Sequence, residues 1–143
     1  MYYEADELRK FVTAQERDYT TALREIRNGR KRSHWMWYIF PQIQGLGMSP
    51  TAEYYGIKDL EQAKDYMEHP VLGANLIEIS EALMDLDASN PTAVMGYPDD
   101  LKLCSCMTLF ELAAPEQKVF GEVIDKYFGG RRDSLTLRIL GIR

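Results

Sequence analysis

Leu72, Leu76, Ile79, Leu83 and Leu86 recur every three or four residues between Val71 and Asp87, and no other spacing in the chain is as regular. Apolar side chains at that interval share one face of an α-helix, so the stretch is predicted as a helix with a buried stripe, which other elements must cover. Most of the remaining sequence supplies further helices. Asp59 to Glu68 opens on a capping carboxylate and stops before His69-Pro70, because the residue ahead of a proline avoids helical backbone. Ser49-Pro50 starts another. The Asn90-Pro91 turn and Gly96-Tyr97-Pro98 lead into a helix from Asp99 to Ala114, with Pro98 and Asp99 suited to its first turn. Val119, Phe120, Val123, Ile124, Tyr127 and Phe128 form the next, ended by Gly129-Gly130, and Asp133 or Ser134 caps a last one through Leu140.

Toward the N-terminus, Leu8, Phe11 and Val12 define one short apolar face, and Tyr19, Ala22, Leu23 and Ile26 define a second, closed by Asn28-Gly29; these read as two antiparallel helices. Arg30 to Gly47 fits a strand or a buried helical turn, and a short helix is favoured because no second strand exists to pair with it. With 143 residues, 45% of them hydrophobic, and no repeats, low-complexity tracts or linker, the expectation over 1–143 is one all-α domain. It is a compact bundle of about seven or eight short to medium helices.

Charge narrows the partners. The net charge of −5 divides into +2 over residues 1–32, −10 over 33–130 and +3 over 131–143. A duplex-DNA reader normally shows a broad basic face, which this acidic chain lacks, whereas a local basic patch for one anionic ligand is compatible with it. No apolar run approaches the ~18 to 20 residues of a membrane span, and Met1 to Lys10 carries acids where a secretory leader would be apolar. An intracellular, cytoplasmic protein without membrane partners is expected. Cys104 and Cys106 are one residue apart, a spacing unlike redox or zinc motifs, so neither a metal nor a cofactor is expected, and free thiols suit a reducing compartment.

Two stretches carry candidate chemistry. In the first, Arg30, Lys31, Arg32, Ser33 and His34 run directly into Trp35, Met36, Trp37, Tyr38, Ile39 and Phe40, then Pro41-Gln42. Anion recognition wants cationic forks and base recognition wants flat rings, so the adjacency suits a nucleotide-like ligand. Arg30, Lys31 and Arg32 would hold phosphate, Trp35, Trp37 or Tyr38 would stack, and His34, Gln42 and Lys102 would orient polar edges. The competing explanation is structural: aromatic runs usually build core, and for Trp35, Trp37 and Phe40 individually it is favoured. His34 suits a ligand contact or a general base, while His69 reads as a junction or capping residue.

The second stretch is Gly96 to Phe110. Asp99, Lys102 and Cys106 fall on one helical side and Leu101, Ser105, Thr108 and Leu109 nearer another. Ser105 and Thr108 either bond back to carbonyls one turn earlier or line a polar pocket. The adjacent acids Asp99 and Asp100 are explained by the helix dipole.

Phe11 to Gln15, Gly29 to Trp37, Phe40-Pro41-Gln42, Gly45-Leu46-Gly47, His69-Pro70 with Leu72-Gly73, Asp99-Asp100 with Lys102-Leu103, Met107 to Phe110, and Tyr127-Phe128 with Asp133 and Thr136-Leu137 together resemble the domain-of-unknown-function family numbered 1810. The resemblance covers nearly the whole chain. It implies a compact all-α fold in a small, mostly bacterial, stand-alone protein, and it brings no established activity. A calpastatin label borne by some members does not suit a folded, repeat-free chain. Where the family often has a second serine, this chain has Cys106. The expected function is binding, with or without processing, of a small anionic nucleotide-like or ADP-ribose-like metabolite. The alternative is a non-enzymatic module in which Arg30 to Arg32 and Arg131-Arg132 meet an acidic protein or single-stranded RNA. No phosphate loop, nucleophile elbow or metal motif argues for a particular reaction.

Overall fold

The computed structural model describes residues 7–142. The acid-bearing start that speaks against a secretory leader falls partly on residues 1–6, outside the described residues. Over the described residues the chain is all-α, with nine helices and no strand: α1 (Arg9–Arg27), α2 (Met36–Ile39), α3 (Pro50–Tyr55), α4 (Leu60–Glu68), α5 (Leu72–Asp85), α6 (Pro91–Met95), α7 (Asp99–Ala113), α8 (Val119–Phe128) and α9 (Ser134–Ile139). The excess over seven or eight lies in short turns of helix, of which α2 has four residues and α6 five. None of the nine is long and apolar enough to cross a membrane.

The expected pair of N-terminal helices is a single one. No glycine or proline interrupts Thr13 to Asp18, and what breaks the apolar pattern there is Gln15, which is buried with Phe11, Ala14, Ala22 and Ile26. Its amide is satisfied inside: Nε2 donates to the Tyr38 carbonyl at 2.8 Å and the Tyr66 hydroxyl at 2.9 Å, while Oε1 accepts from Asn75 Nδ2 at 2.9 Å. A polar residue with all three partners sits in a core stripe without ending the helix. Asn28-Gly29 closes α1 as expected, with Gly29 at φ +85°, a conformation glycine adopts at no steric cost.

The Asn90-Pro91 turn is in fact the start of α6. The Asn90 side chain accepts from the N–H groups of Thr92 and Ala93, and Pro91 occupies the first turn, where its missing N–H leaves nothing unpaired. Asp59 and Asp133 cap α4 and α9 in the same manner. His69 caps α5: its Nδ1 accepts from the Val71 and Leu72 N–H groups at 3.1 and 3.3 Å.

The core is one cluster in which α7 is packed against α4, α6, α8 and α9, and α5 against α1, α4 and α8. Tyr66, Phe110 and Phe120 run from α4 through α7 to α8, with ring centroids 5.1 and 6.2 Å apart. Helix α7 is buried on all sides from Cys106 to Phe110, as suits a helix apolar around its whole circumference. Its N-terminal half emerges at the surface, with Leu101 exposed and Lys102 half-buried.

Candidate functional site

The loop after α1 is built around a carboxylate. Gly29 turns the chain back along the last turn of the helix, and Glu25 there accepts from the Arg32 N–H at 2.8 Å, the Ser33 N–H at 2.9 Å, the Ser33 hydroxyl at 2.5 Å and the Trp35 indole at 2.9 Å. Burial alone would push the Glu25 carboxyl up, but these hydrogen bonds outweigh it and hold it down at about 2. The backbone N–H groups of Arg32 and Ser33, the Ser33 hydroxyl and the Trp35 indole therefore already serve an anion of the protein itself, and the Arg30 and Arg32 guanidiniums are not among them.

The side chains of that loop part company. Arg30, Arg32 and His34 are exposed, and among the described residues the two guanidiniums make no hydrogen bond or ion pair. Lys31 points inward: its ammonium lies 2.8 Å from Asp99 Oδ2, donates to the Ser33 carbonyl at 2.5 Å and sits 4.9 Å over the Trp35 ring. Trp35 and Phe40 are core residues, 1% and 0% exposed. Tyr38 is buried as well and faces α1, where its hydroxyl donates to Asp18 and accepts from Arg17. Trp37 is half-buried beneath the ammonium of Lys102, 4.3 Å from its ring centroid. Lys102 in turn lies 3.4 Å from Asp99 Oδ1. Asp99 thus joins two lysines of different elements, and Lys102 is the one that reaches the surface.

Lys102 borders a cleft of about 500 Å³ between α7, the connection from α8 to α9, and the segment 42–47. Of the residues singled out in the sequence, Gln42, Lys102 and Ser105 line it. Thr108 does not. It is fully buried one turn deeper, where its hydroxyl donates to the Cys104 carbonyl at 2.8 Å and accepts from the Asp133 N–H at 2.9 Å. Ser105 lies 3.2 Å from the Leu101 carbonyl and 3.1 Å from Asp133 Oδ2, so back-bonding and a place at the cleft hold together.

The apolar wall consists of Leu46, Leu101, Phe128 and Leu135, none a candidate in the sequence; Leu101 and Leu135 are 54% and 51% exposed. Two exposed leucines at one cavity are a signal that appears only once α7 and α9 are seen to converge. The cleft's other cations are Arg131 and Arg132. Arg132 is committed to Glu111 by a two-pronged pair at 2.9 and 2.6 Å, whereas the Arg131 guanidinium is exposed and has no partner among the described residues. Cys104 also faces the cleft, but burial pushes its thiol up to about 11, so it is protonated at neutral pH. Among the described residues no group of three or more histidines, cysteines and acids is placed to hold a metal ion.

A family model described as "Protein of unknown function (DUF1810)" matches residues 5–140. The chain belongs to the DUF1810 family. A solved relative in structure is the conserved hypothetical protein Rv1873 from Mycobacterium tuberculosis, known from a crystal structure, with a TM-score of 0.93 and 43% identity over 96% of this chain and 98% of that one. No curated protein matches it. The DUF1810 resemblance rests on motifs scattered along the sequence, and the fold gathers several at the cleft: Gln42, Leu46, Gly47, Lys102, Phe128 and Asp133. Cys106, where the resemblance leads one to expect a serine, is fully buried and does not line the cleft. A hydroxyl at 106 would face the core in its place.

Proposed function

We propose that this protein binds a small anionic metabolite, of the nucleotide or ADP-ribose kind, in the cleft between α7, the α8–α9 connection and residues 42–47. The observation that carries this is the pairing of Lys102 and Arg131 with the wall of Leu46, Leu101, Phe128 and Leu135 around one cavity. Metabolite sites of a few hundred Å³ are typically apolar with a few placed polar groups, and here the cations supply the charge while Gln42 and Ser105 supply neutral hydrogen bonds. Trp37 beneath Lys102 and Asp99 beside it fix the ammonium, and the donor they do not take is open to the ligand. Free Cys104 and Cys106 fit a cytoplasmic location, and the source of Rv1873 fits a bacterial one.

A thermal-shift panel of nucleotides, NAD, ADP-ribose and their cyclic derivatives tests it, with mass spectrometry of each mixture to detect turnover. A ligand at a hundred times its dissociation constant adds about 2.7 kcal/mol, which for a chain of this size raises the midpoint by roughly 8 °C. Lys102→Ala should remove about half of that shift or more. A panel without a hit, or a hit indifferent to Lys102→Ala, overturns the assignment. A second function is supported by the guanidiniums of Arg30, Arg32 and Arg131, exposed and without a partner among the described residues: docking of an acidic protein or single-stranded RNA. RNA binding would weaken steeply between low and physiological salt, whereas a cleft ligand would change far less.

A further inference from the structure

A second cavity, of about 600 Å³, shares no lining residue with the cleft. Segment 42–47 separates the two, with Gln42 on the cleft and Gln44 on this cavity. The extended link that holds the segment is short: Gln44 N–H donates to the Ile57 carbonyl at 2.7 Å and Ile57 N–H to the Gln42 carbonyl at 2.8 Å. Among the described residues, Arg9, Lys10, Arg17 and Lys58 border the cavity together with the carboxylate of Glu7, and Tyr54 and Tyr55 form its wall. In a chain of net charge −5 this concentration of positive charge is local and opposite to the average.

The cations are differently committed. Arg17 pairs with Asp18 at 3.0 Å, and Lys58 stands 3.9 Å from Glu7 with both side chains largely exposed, a separation at which an ion pair contributes little. Lys10 has no carboxylate within 4 Å among the described residues; its ammonium lies instead over two rings, 4.9 Å from Tyr54 and 5.6 Å from Phe11. Its partial burial lowers its affinity for the proton, against the opposing pull of the nearby Glu7 charge. Tyr54 is 57% exposed and stands edge-on to Tyr55, 4.8 Å between centroids, so one aromatic surface remains open beside the cations.

We propose that this cavity is a second anion site, taking the di- or triphosphate group of a small phosphate compound between Lys10 and Lys58, with the tyrosine wall beside it. The inference stands apart from the cleft and does not depend on it.

Isothermal titration of the full chain with inorganic pyrophosphate tests it, first in the wild type and then in Lys102→Ala, which weakens the cleft. Saturable binding is expected in both. Lys10→Ala with Lys58→Ala should weaken it at least tenfold while the thermal midpoint without ligand stays in place, and Lys10→Arg should retain it. ADP binding more tightly than pyrophosphate, with the gain lost in Tyr54→Ala, supports the tyrosine wall as a base platform. Absence of saturable pyrophosphate binding, binding unaffected by the double lysine variant, or adenosine binding as well as ADP overturns the proposal. Loss of pyrophosphate binding in Lys102→Ala alone also overturns it and returns the anion to the cleft.

Discussion

At Glu25 burial and hydrogen bonding pull one proton in opposite directions, and the outcome fixes a pH response. The folded carboxyl sits at about 2, whereas an unfolded glutamate titrates near about 4.3. Below that value the unfolded chain holds more protons than the folded one, so the stabilisation is complete above it and is lost as pH falls toward 2. Thermal melts should show the midpoint dropping through this window. Glu25→Gln should cost about 2 kcal/mol at neutral pH and flatten that acid limb; an unchanged limb in the variant would assign the acid response to other carboxylates. In the sequence Glu25 is one acid among several on an amphipathic helix. The clue to its role was the Asn28-Gly29 stop, which folds residues 30 to 35 back onto the last turn, where backbone N–H groups need an acceptor.

Helix ends are written in local chemistry, and for that reason most of them were legible: Asp59, Ser49, Asp133 and Gly129 each act within four residues of themselves. The single α1 was not legible, because Gln15 looks like a gap in the stripe until Tyr38, Tyr66 and Asn75 arrive from three other parts of the chain. How closely two helices approach is equally hidden. Gly73, near the start of α5, lies so close to the end of α4 that a Cβ there would meet the Met67 carbonyl oxygen at 2.1 Å. Backbone cannot swing away as a flexible side chain does, so Gly73→Ala should force α4 and α5 apart and cost about 3 kcal/mol. Calorimetry should show a midpoint lower by roughly 10 °C.

Across the whole molecule, charge along the sequence does not translate into charged faces. The basic ends contribute Lys10 to one cavity and Arg131 to the other, each meeting a lysine from the acidic middle, Lys58 and Lys102. A basic run beside an aromatic run suggested one pocket, yet Lys31 is spent on Asp99 and Trp35 on the core, and only Gln42, Lys102 and Ser105 of the candidate set reach the cleft. Adjacency in sequence could not reveal this, because successive residues around Glu25 leave the loop in different directions. The two functions can be told apart by the residues left outside. The Arg30 and Arg32 side chains line neither cavity and make no hydrogen bond or ion pair among the described residues, so Arg30→Ala with Arg32→Ala should change stability by no more than about 0.5 kcal/mol. If a cleft metabolite is the ligand, the double variant keeps its thermal shift, while Lys102→Ala weakens affinity by 10- to 100-fold, as loss of a charged hydrogen bond of about 1.5 to 3 kcal/mol requires. If the protein instead docks an acidic partner, the order reverses: the arginine variant loses binding and its salt dependence together, and Lys102→Ala changes little.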